Sequence, residues 1–219
     1  MHIPRIVAAA IALLIASPTL AADPATMEVA GIRLGASAQQ VKTALGHAGY
    51  RITETHTDRS FEQHVASEVA TRTGRDQAFP TDAGTGQIIA MGPHQERAQV
   101  DFAQTAAGSS VSRILVTIPG TAMTAAAFRE QLFARYGKPD AVREQGLTLS
   151  WCSPQALRIC GLTYTAGDLD TVWPKLSADL AYGDSTITLA IGSEADHRNA
   201  QAFEAEVVRR VPKTDRAAF

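Results

Sequence analysis

"TAAAFREQLFARYGKPD", Thr124–Asp140, opens on a hydroxyl residue, carries apolar side chains four apart and stops on Gly137 and Pro139. Thr124 suits an N-cap, Phe128 and Leu132 fall one turn apart on one face, and the Gly and Pro close the helix. Upstream, "SAQQVKTALGHAGYRI", Ser37–Ile52, follows the same plan. Ser37 and Gln40 have the spacing of a capping box, Val41, Ala44, Leu45 and Ala48 form an apolar stripe at helical spacing, and Gly49 is the stop. Each helix follows an apolar, strand-like segment, "MEVAGIRLG" or "SRILVTIPG", and precedes extended sequence, "YRITETH" or "DAVREQGLTLSWC". The expectation is one small helix-on-sheet unit written twice.

The remaining periodicities are of the same kind. "RAQVDFAQ" alternates through Ala98, Val100 and Phe102, "AAGSS" turns the chain, and "VSRILVTI" alternates through Ile114, Val116 and Ile118, which together predict a hairpin with one face buried. Leu147, Leu149 and Trp151 share a strand face, as do Ile187, Leu189 and Ile191. Ser60 caps a second helix in the first half, with Phe61, Val65 and Val69 spaced by four; near the end of the sequence Ala200, Phe203, Val207 and Val211 define another, closed by Pro212. The fold class is therefore α+β: an antiparallel sheet with helices packed on one face, in two similar units in tandem. The expected division is a signal peptide over 1–21, a first α+β unit over 22–118 and a second, carrying a disulfide, over 119–219.

The signal peptide rests on a short pattern. Arg5 precedes the uncharged run "IVAAAIALLIA", Ile6–Ala16, and Pro18 leads into small residues that fit cleavage after Ala21, or after Ala22. Eleven apolar residues are too few for a membrane span, which takes about 18 or more, and no later segment is long and apolar enough to cross. A periplasmic or secreted location is expected. Beyond residue 21 there remain 198 residues with 19 of the 20 basic side chains and all 22 acidic ones. That balance argues against nucleic acid as a partner, which calls for clustered Lys and Arg. A 45% hydrophobic fraction at this length suffices for one ordinary domain or two small ones sharing a core.

Cys152 and Cys160 are the only cysteines. An even count in an exported chain reads as one disulfide. "LTLSW" before Cys152 and "ALRI" before Cys160 both look like strands, with turn residues "SPQ" between them, and so short a loop gains about 2–3 kcal/mol from closure. The spacing is not the two-residue spacing of a redox-active pair.

Gly35, Ser37, Val41, Leu45 and Gly46 in the first copy, and Thr124, Phe128, Leu132, Gly137 and Pro139 in the second, give the order of glycine, cap, helix and closing glycine. That order resembles the small α+β module of the outer-membrane assembly lipoproteins of the SmpA/OmlA type. Two such modules in tandem resemble the architecture of the β-lactamase inhibitory protein. The resemblance implies a protein-binding or envelope-associated role without catalysis, with an envelope or secreted protein as the partner. The chain departs from the assembly lipoproteins in having no cysteine for lipid attachment.

Catalytic and cofactor motifs do not emerge, so no cofactor and no metal are expected. His47, His56, His64, His94 and His197 form no HExxH arrangement and no i, i+4 pair. There is no GxSxG elbow and no phosphate loop; "DAGTGQ", Asp82–Gln87, reads as a flexible turn. A periplasmic hydrolase built on His56, His64 and His94, or a small-ligand-binding protein, is the alternative. Trp151, Tyr164, Trp173 and Tyr182 crowd the second half. Trp151 belongs with its strand face in the core, whereas Trp173, in "DLDTVWPKL", and Tyr182 are the candidate partner contacts.

Overall fold

A computed structural model describes residues 23–75, 83–143, 147–157, 160, 174–180, 184–191 and 193–211. Four α-helices and eight strands are described: α1 (Ala38–His47), β1 (Arg51–Asp58), α2 (Phe61–Thr73), β2 (Gly84–Met91), β3 (Arg97–Thr105), β4 (Gly108–Ile118), α3 (Ala125–Tyr136), β5 (Ala141–Arg143), β6 (Thr148–Cys152), β7 (Lys175–Leu180), β8 (Ser185–Ala190) and α4 (Ser193–Arg210). The strands form one antiparallel sheet in the order β1-β2-β3-β4-β8-β7-β6-β5. The chain is α+β. Strands consecutive in sequence are neighbours except at the centre, where β4 meets β8.

Local chemistry sets the helix ends. Ser37 and Gln40 form a reciprocal capping box on α1, and Ser60 and Gln63 do the same on α2. At the far end of α1 the Gly49 amide reaches the Gly46 carbonyl and the Tyr50 amide reaches that of Leu45. This is a Schellman closure, and it needs the positive φ of 78° that Gly49 adopts without penalty. α3 takes Thr124 as its cap and ends at Gly137.

α1 and α3 cover one face of the sheet. Val41 and Leu45 from α1, and Phe128, Leu132 and Tyr136 from α3, join a single core with Ile88, Val100, Ile114, Leu149, Trp151, Leu176 and Leu189. The buried polar tips in this core are satisfied: Tyr136 donates its hydroxyl to the Glu28 carbonyl at 2.6 Å, and the Trp151 indole donates to the Gly137 carbonyl at 3.2 Å. Their rings meet edge to face with centroids 5.9 Å apart, a geometry that aromatic pairs prefer. α2 and α4 instead share a small core of their own, Phe61, Val65 and Val207, with Phe203 packed edge to face on Phe61. Around it Arg72 holds Glu204 through two bonds of 2.8 and 2.7 Å, and Arg210 reaches Glu62 at 2.7 Å.

Three local expectations are corrected. "MEVAGIRLG" is not a strand: Val29 and Ile32 exchange two backbone hydrogen bonds across a tight turn in which Ala30 and Gly31 both have positive φ. Its apolar residues Met27, Val29 and Ile32 are buried all the same, because the turn plugs into the main core. "DAGTGQ" is a turn in composition only, since β2 begins at Gly84. A Cβ on Gly84 would lie 2.4 Å from the Gln104 side chain, so the glycine serves a close approach within the sheet. The turn expected at "SPQ" is a short 3₁₀ turn, Pro154–Ala156, and it takes in the first residue of "ALRI", where a strand was expected; Leu157 follows in a turn, and residues 158 and 159 lie outside the described residues.

Candidate functional site

The face of the sheet opposite α1 and α3 is built from alternate residues of the same strands, and strand register arranges them in rows that cross the sheet. One row runs Glu54, Ile89, Gln99, Leu115, Thr188, Ser177, Ser150 and Ala141 through all eight strands. On one side of it lies His56, Gln87, Asp101, Arg113, Ala190, Lys175 and Cys152, and on the other Arg51, Met91, Arg97, Thr117, Thr186, Asp179, Thr148 and Arg143. Most of these residues are partly or fully exposed. At about 4.8 Å per strand and 3.4 Å per residue, the face measures about 33 Å by about 14 Å.

Across β2, β3 and β4 the face is organised around Asp101. Arg113 Nε donates to its Oδ2 at 2.7 Å, and Gln87 Nε2 and Gln99 Nε2 donate to its Oδ1 at 2.7 and 3.2 Å. Arg97 in turn donates to Gln99 Oε1 at 3.2 Å. The directly paired positions 87, 101 and 113 bring these groups together, and charge-assisted bonds fix side chains that would otherwise sample many rotamers. Across β8, β7 and β6 the face is made of short Thr, Ser and Ala side chains. There Lys175 sits directly between Cys152 and Ala190, and burial, with Arg143 adding like charge, pulls its ammonium below the ordinary lysine range.

The disulfide joins Cys152 to Cys160 with Cα atoms 5.9 Å apart. Because Cys152 shares its row with Lys175, the bridge fastens the segment after β6 at a corner of this open face. The Cys152 amide also donates to Asp140 Oδ2 at 2.9 Å. Trp151 is in the core as its alternation suggested. Trp173 and Tyr182, the candidate partner contacts, lie outside the described residues, as does Tyr164.

The histidines are scattered. His47, His94 and His197 are exposed, His56 lies 3.2 Å from Glu54 on β1, and His64 on α2 lies 3.7 Å from Asp58. Among the described residues, no group of three or more His, Cys, Asp or Glu side chains is arranged to hold a metal ion. Two hollows occur apart from the three rows. One, about 350 Å³, lies between the Val29–Ile32 turn and α1; the other, about 420 Å³, lies where Phe61 and His64 of α2 and Phe203 of α4 meet Phe102 and Gln104 at the end of β3. Among the described residues no helix is long and apolar enough to cross a membrane.

The open face itself escaped the sequence reading. Each of its rows collects one residue from each of seven or eight strands, and the alternation that marks a residue as outward-facing is silent about its neighbours across the sheet. No protein-family model, curated protein or solved structure matches the chain.

Proposed function

We propose that this chain is an exported, non-enzymatic protein-binding module that docks its partner on the open face of its sheet. The observation that carries the reading is the face itself: three registered rows across as many as eight strands, partly or fully exposed at most positions and stiffened by hydrogen bonds around Asp101. A preordered polar surface loses little side-chain entropy on association, which favours its use in recognition. The disulfide fits an oxidising compartment. The role agrees with the one implied by the resemblance to SmpA/OmlA-type modules.

The test is capture by the mature chain from Asp23, cross-linked in the native envelope fraction. Recovery of one stoichiometric protein, lost when Leu115→Arg blocks the middle of the face and retained when Val208→Arg alters the exposed side of α4, supports the reading. Equal recovery by both variants would sink it. Replacing His56, His64 and His94 together by Ala leaves capture unchanged if the chain is a binding module, and abolishes function if it is a hydrolase. The hollow beside Phe61, Phe102 and Phe203 favours a second reading, a site for a small ligand with an aromatic or aliphatic body. Ligand-dependent thermal stabilisation, removed by Phe203→Ala, would select it.

A further inference from the structure

We infer that the partner presents an acidic surface, and that it docks along the edge row of the open face set by Arg51, Arg97 and Arg143. This rests on the reading of the open face as the docking site and says what lands there. Among the described residues, five cations, Arg51, Arg97, Arg113, Arg143 and Lys175, share the three rows with three carboxylates, Glu54, Asp101 and Asp179. The face is therefore positive by two charges on a chain whose net charge is −2.

The imbalance grows once existing contacts are counted. Asp101 is taken by Arg113 at 2.7 Å, and Glu54 has His56 at 3.2 Å. By contrast Arg51, Arg97, Arg143 and Lys175 have no carboxylate within ion-pair distance among the described residues. On α2 and α4, Arg72, Arg209 and Arg210 are each paired with a glutamate. Three of the unpaired cations lie in one cross-strand row. Arg51 and Arg97 are two strands apart, about 10 Å, and Arg97 and Arg143 five strands apart, about 24 Å, with Thr117, Thr186, Asp179 and Thr148 between, so the row holds three cations to one carboxylate.

That length and chemistry fit the rim of a folded protein better than a single small anion. Arginine forks match carboxylates in pairs, and the short Thr117, Thr186 and Thr148 side chains, with Asp179 the one carboxylate among them, let a surface approach closely. Complementary charge of this kind raises the rate of encounter and selects against basic or neutral partners.

The experiment places the photo-cross-linker p-benzoylphenylalanine at Thr117 or Thr186 in the full chain, irradiates native cells and identifies the attached peptide by mass spectrometry. The cross-linked partner is then purified and its Kd measured against the parent chain and against Arg51→Glu/Arg97→Glu/Arg143→Glu. The expected result is attachment to one protein within a stretch rich in Asp and Glu, a Kd weakened on the order of tenfold or more by the triple reversal, and a loss that shrinks at high salt. Arg97→Gln and Arg51→Gln alone give the same direction of change if the triple variant melts early. Attachment to a stretch without excess acid, or a Kd unchanged by the reversals, overturns the acidic-partner inference and leaves the open-face reading standing. Attachment to a second copy of this chain or to nucleic acid overturns it as well. No attachment from either position, with binding retained, overturns both.

Discussion

The two faces of the sheet are made from the same eight strands, residue by alternating residue, yet differ in what they demand of their side chains. The covered row Ile52, Ala90, Ala98, Val116, Ile187, Ala178 and Leu149, which runs out at the exposed Val142 on the edge strand, lies directly beside the open row Glu54, Ile89, Gln99, Leu115, Thr188, Ser177, Ser150 and Ala141. On the first face volume is matched against α1 and α3, so a lost methylene leaves a cavity. On the second, order comes from hydrogen bonds around Asp101 and from one disulfide. Packing therefore concentrates stability on one side of the sheet and leaves the other free to vary its chemistry.

Removing Trp151 attacks the difference hardest. Trp151→Ala empties a fully buried site and orphans the Gly137 carbonyl, and unfolding in urea should register a loss of about 3–5 kcal/mol. A loss under about 1 kcal/mol would mean that α3 does not close over the sheet as described.

Next comes the covalent tie of the open face. Cys152→Ser/Cys160→Ser opens a bridge of sequence separation 8 and should cost about 2–3 kcal/mol by the chain-entropy estimate, read as a lowered urea midpoint. Mass spectrometry of exported protein should find no free thiol at either position.

The comparison is sharpened by a substitution expected to do almost nothing. Thr188→Ala, in the middle of the open face, should change stability by less than about 0.5 kcal/mol, because the residue is partly exposed and belongs to neither buried cluster of the described residues. An effect near that of Trp151→Ala would show that the open face is a second core.

The last expected effect is confined to α2 and α4. Hydrogen bonds from Arg209 and Arg210 hold the Glu206 carboxyl at about 2, and Arg72 depresses that of Glu204. A carboxylate held below its usual range contributes stability above the ordinary carboxylate pKa and loses it as pH falls through the depressed value. Acidification below the ordinary carboxylate range toward pH 2 should therefore raise amide exchange in α4 before it does so in β3 and β4. Simultaneous exchange in all three would show that the helix pair has no separate stability.

Much of this fold was legible because it is written locally. The Ser37 and Ser60 caps, the stops at Gly49 and Gly137, the alternation of Ala98, Val100 and Phe102, and the pairing of Cys152 with Cys160 each concern residues close in sequence. The misreadings had physical causes too. "MEVAGIRLG" has strand composition, but Ala30 and Gly31 at positive φ fold it back on itself, and its burial comes from contacts made elsewhere in the chain. Gly84 looked like a turn because the reason for a glycine there is the Gln104 side chain, 20 residues away.

By itself the sequence determined the four helices and the alternating faces of β3, β4, β6 and β8, and hence that one face of a sheet would be buried. Only the tertiary structure decided that β4 lies against β8, that α2 packs on α4 across a separation of 132 residues at the Arg72–Glu204 pair, and that Arg51, Arg97 and Arg143 share a row. Periodicity of two or 3.6 residues fixes the direction of a side chain relative to its own backbone. Its neighbours across the sheet depend on strand order and register, which are settled by the joint packing of the whole core.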